Sequence, residues 1–81
     1  MNPEPYSYGT KINLMPGGRH ELLTAYVRFA QNCGDSEYRY ACIFPCSPRP
    51  RLAKVYSDEI ESAEIGPEHL AETERLLEEC C

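Results

Sequence analysis

The stretch Arg19-His20-Glu21-Leu22-Leu23-Thr24-Ala25-Tyr26-Val27-Arg28-Phe29-Ala30-Gln31-Asn32-Cys33-Gly34 sets the fold class. Its apolar residues Leu22, Leu23, Tyr26, Val27, Phe29 and Ala30 recur at three- and four-residue spacing, the stripe of a helix of about twelve residues. Gly18 suits the N-cap of such a helix, and Gly34 suits its C-terminal stop. Read this way, the stretch places a helix between strand-like segments.

Upstream, Tyr6, Tyr8, Thr10, Ile12 and Leu14 share one parity, the period of a half-buried strand. Met15-Pro16-Gly17-Gly18 is a turn that ends it. Downstream, Tyr38, Tyr40, Cys42 and Phe44 point one way along a strand from Glu37 to Phe44, with aromatic and β-branched residues favouring that assignment. Three prolines between Pro45 and Pro50 turn the chain, and Arg51 to Tyr56 returns as an antiparallel strand. Ser57 to Ile65 reads either as a short helical turn or as an acidic loop. Gly66-Pro67-Glu68 then opens a helix to about Glu79, because proline suits the first helical position and acids suit the first turn. Leu70, Thr73, Leu77 and Cys80 line its apolar face, with Leu76 beside them. The expected fold is α+β: one small β-α-β-β-α domain over residues 6–81, an antiparallel three-stranded sheet with two helices packed on one face. Residues 1–5, with two prolines, read as a flexible arm.

A chain of 81 residues holds one domain at most and buries a thin core. Its 42% hydrophobic content is that of a folded protein. No apolar run approaches the roughly 18 residues of a membrane span. Met1 to Pro5 lacks the basic start and apolar stretch of a signal peptide, so the cytoplasm is the expected location. Five cysteines is an odd number, which argues against a fully paired disulfide framework and for reduced thiols.

Catalytic and metal chemistry find little to stand on. His20 and His69 each begin an expected helix, and neither has a nucleophile in a recognisable arrangement, so both read as solvated helix-start residues and no enzyme is expected. Cys42 and Cys46, Cys33, and the terminal Cys80-Cys81 pair lack the doubled pairing of a zinc site, and no metal or cofactor is expected. The terminal pair is expected to pack on the first helix or to form adventitious intermolecular disulfides on storage. Met15 to Arg19 lacks the lysine-serine and three-glycine phosphate patterns and reads as a simple turn. Tyrosines interleave with Arg39, Arg49, Arg51 and Lys54, but the aromatic face of that strand is more simply core, and direct nucleic-acid binding is not expected.

What remains is charge. Residues 1–57 carry four acids (Glu4, Glu21, Asp35, Glu37) and seven bases, a net of +3; residues 58–81 carry nine acids and only Arg75, a net of −8. Asp58, Glu59, Glu61, Glu64, Glu68, Glu72 and Glu79 form the candidate partner-binding surface. On a helix, Glu68, Glu72 and Glu79 follow one ridge, with Arg75 able to pair within it. Such a row either keeps the protein soluble or docks into a cleft lined by lysine and arginine. Tyr38, Tyr40 and Tyr56 are the candidate anchors at its rim.

In its 81-residue length, its acidic run from Asp58 to Glu79 and its lack of catalytic residues, the chain resembles the small anti-defence proteins of phages, notably anti-CRISPR proteins. The resemblance is one of profile over the whole chain. Anti-CRISPR proteins share no common motif, so no functional residue carries over. It implies stoichiometric blocking of DNA binding by a basic nucleic-acid-binding protein or CRISPR surveillance complex in the host cytoplasm. The partner is then a protein, with no membrane contact, and the chain acts as a monomer or small homo-oligomer. Two other classes are open: a cysteine-dependent metal-binding or redox module using Cys33, Cys42, Cys46, Cys80 or Cys81, and a small adaptor or antitoxin-like subunit.

Overall fold

The computed structural model describes residues 5–34 and 37–80; most of the expected N-terminal arm, residues 1–4, lies outside them, as does Cys81. Five strands form one antiparallel sheet: β1 (Lys11–Leu14), β2 (Thr24–Gly34), β3 (Glu37–Phe44), β4 (Arg51–Tyr56) and β5 (Ile60–Glu64), in the order β4-β3-β2-β1-β5. A 3-10 turn (Ser57–Glu59) joins β4 to β5, and α1 (Pro67–Cys80) closes the chain. The expected β-α-β-β-α order with a three-stranded sheet and two helices is therefore wrong. The described residues form five strands and one α-helix.

Both errors have one physical cause. In β2, Val27 pairs with Cys42 and Phe29 with Ala41, so Arg28 is an extra, bulged residue. A bulge inserts one residue and changes the side-chain spacing locally from two to three. Ala25, Val27 and Ala30 accordingly face one side of the sheet, and Thr24, Tyr26 and Phe29 the other. Both sets are apolar at their centre because both faces are covered there. A two-sided strand with a bulge thus imitates the three- and four-residue spacing of a helix. The same happens in β5, where Ile60 pairs with Leu14 and Ser62 with Asn13, leaving Glu61 as the extra residue. Ile60 and Ala63 fall three apart, and the alternation is lost. Ser57 to Ile65 is thus a 3-10 turn followed by a strand. By contrast, β3 and β4 pair as expected across the proline-rich turn, from Phe44 with Arg51 to Arg39 with Tyr56.

The sheet must curl. Strand spacing of about 4.8 Å would set β4 and β5 about 19 Å apart in a flat sheet. A single 3-10 turn, rising about 2 Å per residue, links them. That turn bonds to two non-adjacent strands: the Tyr38 N–H of β3 donates to Ser57 Oγ at 3.5 Å, and the Met15 N–H, just after β1, donates to Glu59 O at 3.0 Å. The result is a partly open barrel. Its interior is filled by Ile12, Leu14, Ala25, Val27, Tyr40, Cys42, Phe44 and Val55, with Tyr6, Leu22, Tyr38 and Ile60 packed around them.

Helix α1 lies on the convex side. Leu76 packs with Tyr26 and Ile43, and Leu77 and Cys80 join them. Cys80 therefore packs on the sheet rather than on a first helix. The chain approaches closely at Gly9, whose φ is +89° and where a Cβ would meet Leu70 Cδ1 at 2.7 Å. Glycine is required there by both conformation and space. No helix among the described residues is long and apolar enough to cross a membrane.

Candidate functional site

Pro67 begins α1, and Gly66 O accepts from the His69 and Leu70 N–H groups at 3.1 and 3.2 Å. Thr73 and Leu76 are its buried residues, and the Thr73 hydroxyl donates to His69 O at 2.8 Å. With those residues facing the sheet, Glu68, Glu72, Arg75 and Glu79 fall on one flank. Arg75 donates to both Glu72 and Glu79, so the expected internal pairing forms. It holds the Glu72 carboxyl below its ordinary range, chiefly through the Arg75 hydrogen bond against a smaller effect of desolvation.

His69 joins the helix to β5. Its Nε2 lies 3.6 Å from Glu68 Oε1 and 3.8 Å from Glu64 Oε1. Glu64 also accepts from Asn13 Nδ2 at 3.0 Å and sits 3.9 Å from Lys11 Nζ. The Asn13 hydrogen bond, then Lys11, hold its carboxyl low. Tyr26, beneath the helix, has its phenol pushed up by burial and then by Glu72 and Glu64, with Arg75 opposing. Glu59 accepts from the Tyr56 N–H at 2.9 Å and from Arg19 Nε at 3.3 Å. Burial raises its carboxyl, but the Tyr56 bond and the charges of Arg19 and His20 outweigh that and bring it down. Asp58 and Glu61 are exposed and face no base among the described residues.

The structure thus brings the seven predicted acids into one bent band. It starts in the 3-10 turn at Asp58 and Glu59, follows β5 to Glu64 and continues along α1 from Glu68 to Glu79. At about 3.3 Å per extended residue and 1.5 Å per helix residue, its two arms are about 20 and 16 Å long. Among the described residues the seven carboxylates meet Lys11, Arg19 and Arg75 and the two histidines His20 and His69, so the acids stay in excess even with every ion pair made and both rings protonated.

The tyrosines divide. Tyr40 is fully buried, its hydroxyl accepting the Tyr6 N–H at 3.3 Å, and its ring cannot reach a partner. Tyr38 is half-buried in the barrel core. Tyr56 is exposed, with the Arg19 guanidinium 5.2 Å above its ring. Of the three, only Tyr56 offers a face to a partner, and it lies next to Asp58 and Glu59.

Sequence reasoning missed His20. It sits in the β1–β2 loop, not at a helix start, and is half-buried. Its ring stacks on Phe44 with centroids 5.3 Å apart, and its Nε2 is buried 3.5 Å from Glu59 Oε2. A cleft of about 220 Å³ beside it is lined by Arg19, Glu21, Leu22, Phe44, Arg51 and Ala53. Its titratable groups are His20 and Glu21, beside the Arg19 and Arg51 guanidiniums. The signal in the sequence was only a histidine after Gly17-Gly18.

Cys42 faces the barrel interior, and burial pushes its thiol up to about 12, which suppresses the thiolate needed for metal or redox chemistry. Cys46 Sγ instead donates to Arg49 O at 3.1 Å. No group of three or more metal-ligating side chains converges among the described residues. No protein-family model matches the chain, and no curated protein or solved structure matches it.

Proposed function

We propose that the protein is a non-catalytic inhibitor whose acidic band docks on the basic nucleic-acid-binding surface of a partner protein and blocks DNA binding there, as anti-CRISPR-type proteins do. The supporting observation is that the 3-10 turn, β5 and α1, separate elements, carry Asp58, Glu59, Glu61, Glu64, Glu68, Glu72 and Glu79 in one band with too few bases to neutralise it. Its apolar back, through Leu76 on Tyr26 and Ile43, holds the helix half of the band to a rigid sheet, so little ordering is needed on binding. Tyr56 supplies an exposed ring at one end. Action in the host cytoplasm belongs to the same reading.

The test uses the protein as bait in a host lysate, against a variant with Glu61, Glu64, Glu68, Glu72 and Glu79 changed to glutamine. The captured partner is expected to be a nucleic-acid-binding protein. Its DNA affinity should fall in proportion to added wild-type protein and recover at high salt. A glutamine variant that blocks DNA binding as well as wild type would overturn the docking mode.

A further inference from the structure

Beyond the acidic band, the convex side of the sheet carries a second surface. Directly paired residues share a face, so the pairs Phe29–Ala41, Ala41–Lys54, Gln31–Arg39 and Arg39–Tyr56 place Phe29, Lys54, Arg39 and Tyr56 together. Leu52, opposite Ile43, stands at the margin of the helix seat. Phe29, Leu52 and Tyr56 are 49, 46 and 38% exposed. The Arg28 guanidinium lies 5.6 Å over the Phe29 ring, and neither Arg28, Arg39 nor Lys54 meets a carboxylate among the described residues.

The helix flank beside this surface has the opposite sign. Leu70 lies against Gly9, whose N–H donates to Val27 O at 2.9 Å, so the flank bearing Leu70 faces the bulge at Arg28. Glu74, four residues on, lies toward that flank, and Glu78 follows it onto the outer side of the helix. Both are exposed and meet no base among the described residues. This side of the molecule therefore carries unpaired acids, three bases and exposed apolar side chains.

We propose that this face is the contact of a two-fold symmetric homodimer, in which Glu74 and Glu78 of each copy meet Arg28, Arg39 and Lys54 of the other. A patch carrying both signs side by side is self-complementary under a two-fold axis, which brings each strip onto its opposite twice. A single-stranded nucleic acid suits the rings and bases but not the carboxylates at the same step. A specific interface needs roughly 500–800 Å² per partner, within the reach of one side of a molecule that measures 36 × 27 Å in its two longer directions. The contact uses Glu74 and Glu78 and leaves the flank of Glu68, Glu72 and Glu79 free; Tyr56 is the one residue it shares with the acidic band.

Sedimentation equilibrium of the reduced full chain tests this. Wild type is expected to be in monomer–dimer equilibrium at low salt, with a micromolar Kd that weakens as salt rises. The variants R28E/R39E/K54E and E74K/E78K should each raise that Kd at least about a hundredfold, because each sets like charges together. Mixed one to one, they should form a heterodimer, since the reversed strips complement each other. Phe29→Ser should weaken the dimer about tenfold without altering charge. Circular dichroism checks that each variant is folded. Monomeric wild type at low salt overturns the proposal, as does a dimer unaffected by these variants or a mixture that fails to pair. Binding of a single-stranded oligonucleotide to monomeric wild type, lost in R28E/R39E/K54E, would assign the face to nucleic acid and overturn it too.

Discussion

Glu59 ties three parts of the chain together through one carboxylate. It accepts from the Tyr56 N–H across the 3-10 turn, pairs with Arg19 of the β1–β2 loop, and lies beside buried His20 Nε2. Its carboxyl is held below the ordinary 4.5 despite partial burial, because the Tyr56 bond and the neighbouring positive charges outweigh desolvation. A lowered folded value contributes stability that is complete above 4.5 and is lost as the pH falls through the folded value. Glu59→Gln is expected to cost about 1 kcal/mol at pH 7, since glutamine keeps the backbone bond but not the charge. Urea unfolding at pH 7 and at pH 3 checks this: the difference from wild type should shrink at the lower pH, and a difference independent of pH would discard the charge role. The acid itself was legible as part of an acidic run. Its partners were not, because Arg19 lies 40 positions away in sequence.

At the scale of elements, the bounds of α1 and its Arg75 pairings were legible almost to the residue, but its apolar face is centred on Thr73 and Leu76, with the expected Leu70 at the exposed rim. Its seat was not legible, because the sheet surface beneath it belongs to strands that local spacing concealed. Leu76 carries that seat, buried against Tyr26 and Ile43, whereas Leu70 is 40% exposed at the rim. Leu76→Ala is expected to destabilise the protein by about 2–4 kcal/mol, through lost burial and the cavity left behind. Leu70→Ala should cost about 1 kcal/mol or less, since less of its surface leaves water. Denaturant midpoints of the two variants compare them, and equal losses would mean that the helix is held elsewhere. β3 and β4 were legible for the opposite reason to β2. Their alternation is unbroken over the pairs from Arg39–Tyr56 to Phe44–Arg51, so their parity survives into the fold.

For the whole molecule, closure of the barrel depends on the shortness of Ser57–Glu59, which holds β4 and β5 within a few residues of each other. Inserting two glycines between Asp58 and Glu59 should loosen the Met15 N–H bond to Glu59 O and speed exchange of that amide about tenfold. The Val27 amide, which donates to Thr10 O at 2.9 Å, should keep its protection. Equal exchange at Met15 would show that closure does not rest on the turn. The sequence by itself determined the charge polarity, the terminal helix, the β3–β4 pair and the acids of the band, because each is a local pattern of charge, period or turn chemistry. Only the tertiary structure decided that Arg19 to Gly34 contains a strand, that Tyr40 is core while Tyr56 is surface, and that acids of β5 and α1 meet in one band. Those outcomes depend on what covers each face of a strand: with the barrel on one side of β2 and α1 on the other, apolar residues on both sides and one bulge erase the period of two.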